Sequence, residues 1–312
     1  MAFAAKIIFI LAVIVCLSGW ISPPVALTLG IILGLSVRHP YPQFSRSAAR
    51  IMLQVSVVAL GFGMNLHEIV KAGRSGFICT ALGISFSLII GLAIGKFLRI
   101  GGNAPYLITA GTAICGGSAI AAIGPILHAD DEEMAISLGT VFILNSVALL
   151  TFPPIGNVLH LTQSQFGLWA ALAIHDTSSV VGAAAKYGAQ ALVVGTTVKL
   201  ARALWIVPLA LVTAAVKHSK TRVSLPWFIL FFCLAAVVNT YVPAFGNFDR
   251  WAFNAGRLGL TATLFLIGTG ISVATLKSVG WRPLLQGVLL WIMVAAVTLY
   301  LIRIDYFVLT AE

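Results

Sequence analysis

The run Gly111-Thr112-Ala113-Ile114-Cys115-Gly116-Gly117-Ser118 lies inside an apolar stretch, 104–128, and sets small, flexible residues at its middle. Gly116-Gly117 is a poor helix interior, because glycine gives up the most backbone freedom on ordering and adds no side chain. Pro125 follows a few residues later. The stretch therefore reads as a helix interrupted near its centre. A second interruption, Asp176-Thr177-Ser178-Ser179, falls within 164–187. Asp, Thr and Ser are helix-capping residues, so this segment reads as a helix start placed inside an apolar run. A break of this kind turns backbone N–H groups and the positive end of a helix dipole toward the gap, which suits an anion. The plainer alternative for both segments is a close helix-packing patch, since small residues let helices approach.

The flanking composition sets the class. Of 312 residues, 60% are hydrophobic and 9% charged, where a soluble domain carries roughly 25% charged residues. That excludes a cytosolic enzyme, a disordered chain and a secreted disulfide scaffold. What remains is an all-α polytopic membrane protein, in which irregular backbone at membrane depth is tolerated only inside protein or beside water. Apolar runs bounded by charge, Pro or Gly predict about eleven spans, at 7–20, 23–37, 50–66, 76–98, 104–128, 133–153, 164–187, 190–216, 225–242, 258–275 and 282–304. No polar stretch is long enough for a soluble domain, so 1–312 reads as one membrane domain. Lys6 followed by an apolar run to Trp20 is similar to a signal sequence. No small-residue cleavage site follows before the next span, so it reads as a retained first helix. Asn247–Arg257 mixes Phe, Trp and Arg and predicts an interfacial helix.

Charge is then sorted by depth. The net +10 is not a nucleic-acid footprint but loop Lys and Arg. The N-terminus and the loops after even-numbered spans carry Lys6, Arg38, Arg46, Arg50, Lys96, Arg99, Lys217, Lys220, Arg222, Lys277 and Arg282. The other side carries Lys71, Arg74, Lys186, Arg250, Arg257 and Arg303, and the acidic run 130–133. The bias predicts a cytoplasmic N-terminus and an external C-terminus. Three ionisable residues stand apart from loops and span ends: Asp176, Lys199 and Arg202. An ionised group in the hydrocarbon core costs on the order of 2.5–3.5 kcal/mol and usually marks a pathway or a partner. Lys199 and Arg202, three apart on a helix, share a face. Two cations beside one acid leave a local positive surplus; the alternative is a buried cluster with Asp176 that locks two spans together. His175 is the one histidine of six set deep in a span. Cys16, Cys79, Cys115 and Cys233 lie in apolar runs without metal-like spacing and read as small buried hydrophobes. The acidic run reads as a solvated helix start, and neither a metal nor another cofactor is expected.

Two internal echoes are present. Gly61-Phe62-Gly63-Met64-Asn65-Leu66 parallels Gly268-Thr269-Gly270-Ile271-Ser272-Val273, and Ile114–Ile120 parallels Ile174–Val180. They pair the third span with the tenth and the fifth with the seventh.

Three motifs, Thr112–Ala122, Ile174–Ala183 and Val198-Lys199-Leu200-Ala201-Arg202, resemble the hallmarks of the UPF0324 membrane family, the sulfate-exporter family that includes YeiH-like proteins. The resemblance covers essentially the whole chain. It implies membership of the cation:proton antiporter/anion transporter superfamily. The fold it implies has two inverted five-helix repeats, 22–160 and 161–312, after an extra first helix at 1–21, with broken helices that cross as in NhaA and the bile-acid symporters. Repeats in that order pair the fifth span with the tenth, in conflict with both echoes.

The expectation is a secondary carrier in the bacterial inner membrane and not an enzyme. It exports a small anion such as sulfate, a related sulfur oxyanion or an organosulfonate. Lys199, Arg202, Cys115, Gly116, Gly117, Ser118, Thr177, Ser178 and Ser179 would bind the anion, and His175 and Asp176 would couple or gate. Its partners would be the anion, the lipid bilayer and a second copy in a homodimer, with no nucleic acid. The alternative is a cation:proton antiporter with Asp176 as the ion-binding carboxylate. A lipid-acting membrane enzyme would need a nucleophile or metal cluster, and a structural subunit would have no use for the deep charges.

Overall fold

The computed structural model describes residues 2–36, 41–217, 227–242, 246–270 and 279–304. Among these the regular structure is helical throughout. By length and composition, four helical stretches are long and apolar enough to cross a membrane: Thr80–Phe97, Glu132–Val158, Ala189–Lys217 and Trp281–Arg303. Contacts divide the chain into two units, one of Met1–Val70 with Pro226–Val273 and one of Lys71–Leu225 with Ala274–Glu312.

The first unit holds α1 (Ala2–Leu17), α2 (Pro23–Ser36), α3 (Pro42–Gly61), α12 (Trp227–Tyr241) and α13 (Gly246–Thr269). α13 packs along α2 and α3. Its glycines set the spacing: a Cβ on Gly256 would sit 2.8 Å from the Ser56 carbonyl oxygen, and one on Gly268 would sit 2.9 Å from the Ile31 nitrogen. α1 closes this unit through Phe9, Cys16 and Phe265. The interfacial helix expected over Asn247–Arg257 is instead the first half of α13, which continues unbroken to Thr269. Asp249 in its first turn is only 3% exposed. Charge there marked a water boundary in the sequence, but the helix carries it inside.

The second unit holds most of α4 (Leu66–Phe97), then α5 (Ala104–Ala113), α6 (Gly117–Ile123), α7 (Asp131–Val158), α8 (Gln163–Ala173), α9 (Thr177–Tyr187), α10 (Ala189–Ala203), α11 (Ile206–Lys217) and α14 (Trp281–Arg303). α10 and α11 are one helix kinked at Leu204-Trp205, because Pro208 cannot donate back to Leu204 and its ring crowds that carbonyl. α7 starts on a capping box: Asp130 accepts from the Glu133 amide, and Glu133 accepts back from the Asp130 amide. The acidic run is thus a helix start, as its composition indicates. Glu133 also accepts from the Asn103 amide at 2.6 Å and from Asn103 Nδ2 at 3.0 Å, tying the start of α5 to the start of α7.

The expected broken, crossing helices are corrected here. Both interrupted stretches fold back on themselves. Tyr187 Oη at the end of α9 donates to the Leu161 carbonyl just before α8 at 2.7 Å, and the Phe166 and Tyr187 rings stack at 3.8 Å. A straight helix would hold Phe166 and Tyr187 about 31 Å apart. α8–α9 is therefore a helical hairpin whose mouth lies at the C-terminal end of α7. α5–α6 is a second hairpin. Leu107 and Ala110 of α5 pack with Ile120 and Ile123 of α6 and with Leu127, and Asn103 meets Glu133 at the N-terminal end of α7. The stretches 104–128 and 164–187 are thus not single through-going spans. Each half-helix is short, and apolar composition alone does not say whether the second half continues or returns.

Candidate functional site

The two hairpins enter from opposite ends of α7, and their tips meet midway along it. α7 has 28 residues, about 42 Å of helix. Gly116 at the first tip has φ 70° and ψ −129°, a conformation essentially restricted to glycine. A Cβ there would lie 3.3 Å from Val141 Cγ1 and 3.4 Å from Asp176 Cα. Gly117 faces Phe142 in the same way, at 3.1 Å. Asn145, one turn beyond Val141 on the same face of α7, accepts from the Asp176 amide at 3.0 Å. One face of α7 thus seats both tips.

The opposite anchor is α10. Lys199 and Arg202 are 0% and 1% exposed and rank among the largest fully buried side chains. Neither makes an ion pair with Asp176; both are held by backbone carbonyls. Lys199 Nζ donates to the Ile174 carbonyl at 2.7 Å and to the Ala171 carbonyl at 3.4 Å. Arg202 Nε donates to Ala113 at 2.6 Å, its terminal nitrogens donate to Thr112 at 3.2 Å and Ala171 at 3.3 Å, and it bonds Leu172 as well. These acceptors lie in the last turns or just beyond the ends of α5 and α8, where carbonyls have no partner within their helix. A cation there also meets the negative end of each dipole. The two basic side chains thus bind both hairpins by the ends that lead into their tips.

Asp176 is the N-cap of α9. Its carboxylate accepts from the Ser178 amide at 3.0 Å and also from the Ser178 hydroxyl. Thr177, Ser178 and Ser179 follow it, all buried. The first tip differs, because Gly116 brings no side chain to cap α6. Cys115 is buried at 2% exposure with a free thiol. Ser118, at the start of α6, is exposed. The residues expected to form the site are therefore gathered at the two tips or on α10, which holds them.

The neighbourhood is polar and incompletely paired. His175 is 1% exposed and neither ring nitrogen makes a hydrogen bond; its ring lies 6.5 Å from that of Trp291. The Thr112 hydroxyl and Asn145 Nδ2 are likewise buried without a partner. Leaving such a group unpaired costs about 1–3 kcal/mol. The sequence reading missed Asn145 because it is uncharged. Its signal was the one amide in the apolar run Val141–Leu150. Gln286 was missed for the same reason. It is fully buried on α14, and its Nε2 donates to Gly91, Pro105 and Thr109, tying α4, α5 and α14 together.

A family model described as conserved hypothetical protein 698 matches residues 2–287. The chain belongs to the UPF0324 family of membrane proteins. A UPF0324 membrane protein of Bacteroides thetaiotaomicron is 52% identical over 289 residues, covering 90% of this chain and 86% of that one. The Bdellovibrio bacteriovorus UPF0324 protein is 47% identical over 309 residues, covering 97% and 95%. The Geobacter sulfurreducens UPF0324 protein is 45% identical over 298 residues, covering 96% of each. No solved structure matches the chain. UPF0324 membership makes this a membrane protein, consistent with its long apolar helices.

Proposed function

We propose that this UPF0324 protein is a secondary transporter of a small anion, an exporter across the bacterial inner membrane, with the meeting point of the two hairpin tips as its substrate site. The observation that carries the reading is the pair of buried cations, Lys199 and Arg202, holding two hairpins that enter from opposite ends. In a bilayer, tips of this kind are supported only inside protein or beside a water-filled cavity, and each hairpin then separates the site from one side. Two basic groups against one acid favour an anion. Sulfate, related sulfur oxyanions and organosulfonates are the first class to test.

The test is transport into proteoliposomes, preceded by a melting-temperature panel of sulfate, sulfite, thiosulfate, sulfonates and dicarboxylates. Lys199→Met is expected to reduce uptake of the stabilising anion by about tenfold or more, the scale of one buried charge-assisted hydrogen bond. Unchanged uptake in both Lys199→Met and Arg202→Ala sinks the reading. The second reading, cation:proton antiport on Asp176, rests on the burial of that carboxylate. It predicts a pH change driven by a sodium or potassium gradient, which anion export does not.

The proposal includes the chain's organisation: a first helix at 1–21, then inverted repeats at 22–160 and 161–312, the second in circularly shifted order. Ile114–Ile120 and Ile174–Val180, offset by 60, occupy the same place in their hairpins. Gly61 and Gly268, offset by 207, lie in the last turns of α3 and α13. α2, α3 and α4 then match α12, α13 and α14, and the first hairpin and α7 match the second hairpin and α10–α11. With both hairpins re-entering, nine stretches cross, and every matched pair runs in opposite directions. The acidic run moves to the cytoplasmic side with Lys96 and Arg99. A homodimer in the bilayer remains part of this proposal.

A further inference from the structure

We propose that Asn145 contacts the substrate, donating from Nδ2 to an acceptor atom of the anion held between the hairpin tips. The inference rests on the anion-transport reading above and adds to it a residue that neither charge nor motif pointed to.

The orientation of the Asn145 amide is fixed by its partner. The Asp176 amide can only donate, so it must face the amide oxygen, and it does so at 3.0 Å. Nδ2 is thereby turned away from that bond. The residue is 3% exposed, and Nδ2 meets no acceptor. Among the described residues it is the one buried side-chain amide nitrogen left unpaired. Gln286 Nε2 reaches three acceptors, Asn103 Nδ2 reaches Glu133, and Asn239 Nδ2 reaches the Met64 carbonyl.

Placement supplies the second argument. Val141 and Phe142 border Gly116 and Gly117 of the first tip, and Asn145 continues that face onto Asp176 of the second. Asn145 is thus the α7 side chain bonded to one tip beside the other. Serine and threonine hydroxyls elsewhere on α7 satisfy themselves on the carbonyl four residues back, as Ser137, Thr140, Ser146 and Thr151 do. Asn145 Nδ2 makes no such bond, so this position keeps a donor free. His175, next to Asp176, carries two further unpaired nitrogens. A neutral ring offers one donor and one acceptor, so beside the Asn145 amide the neighbourhood keeps unmet N–H donors to offer an anion.

The discriminating variant is Asn145→Asp. It keeps the shape and the oxygen that serves Asp176 but replaces the free donor with an acceptor. In proteoliposomes, with whichever of sulfate, sulfite, thiosulfate and methanesulfonate most raises the wild-type melting temperature, it is expected to raise KM at least tenfold. The ligand-free melting temperature should be retained and the anion-induced rise lost. Wild-type KM in Asn145→Asp overturns the inference and leaves the transport reading standing. A wild-type protein that neither binds nor carries an anion overturns both. If Asn145→Asp does not fold, Asn145→Ser decides: a raised KM in folded protein supports the contact, and a wild-type KM removes it.

Discussion

At the residue scale, the deep charges are spent on structure as well as chemistry. Arg202 and Lys199 bond only to carbonyls, and those carbonyls come from both hairpins. Removing the Arg202 side chain therefore exposes unpaired acceptors on both hairpins at once, whereas removing Lys199 exposes those of the second hairpin alone. Gly116 is the complementary case. Its φ of 70° excludes a side chain, and a Cβ would press on Val141 and Asp176. Gly116→Ala is expected to cost about 1–3 kcal/mol, read as a lower melting temperature in detergent, whereas Gly101→Ala, where a Cβ meets nothing within 4 Å, should be close to neutral. Equal melting temperatures for the two would remove the strain argument. Asp176, His175, Lys199 and Arg202 were legible in the sequence, because an ionisable group in an apolar run costs too much to be incidental. Their partners were not, since a backbone carbonyl has no sequence signature. Asn145 carries no charge and so passed as part of its helix.

At the element scale, the same break signal serves two structures. Gly116-Gly117 and Asp176-Thr177 end one helix and start another, but they do not set the direction of the second. That direction comes from contacts far apart in sequence: Asn103 with Glu133, and Leu161 and Phe166 with Tyr187. That the chain is a series of apolar helices was legible from runs bounded by charge, Pro or Gly, although α3, α4 and α13 begin well before the runs at 50–66, 76–98 and 258–275, and the fold-back was not legible. Cross-linking tests it. In a background with Cys16, Cys79, Cys115 and Cys233 replaced by Ala, the pair Phe166→Cys and Tyr187→Cys should be joined by a short bis-maleimide cross-linker, because the two rings stack at 3.8 Å. Through-going helices would hold these residues about 31 Å apart and give no cross-link within a monomer. At the mouth of the first hairpin, Glu133→Ala frees the Asn103 amide and side chain together. A loss of about 1.5–3 kcal/mol is expected, the scale of hydrogen bonds to a charged acceptor. It would appear as increased proteolysis near Gly101-Gly102.

At the scale of the whole molecule, the proposed re-entry of the hairpins changes which loops share a side of the membrane. In the organisation proposed above, both sequence echoes, incompatible with repeats in simple order, fit once each hairpin is counted as entering and leaving by one face. The charge bias survives, because re-entry moves the acidic run without moving any Lys or Arg of the two sets. The consequence is testable with single cysteines in the cysteine-free background. Gly101→Cys and His128→Cys flank the first hairpin, and His160→Cys and Lys186→Cys flank the second; His128, His160, Lys186 and Gly101 are all exposed. In intact cells an impermeant maleimide should label the 160 and 186 variants. The 101 and 128 variants should react only after the membrane is opened. Eleven through-going spans predict a different pattern, with 101 and 128 on opposite sides and 160 and 186 likewise split. Labelling that separates the members of either pair would return that hairpin to a full crossing. It would also withdraw the closed, two-sided site from which anion transport is argued.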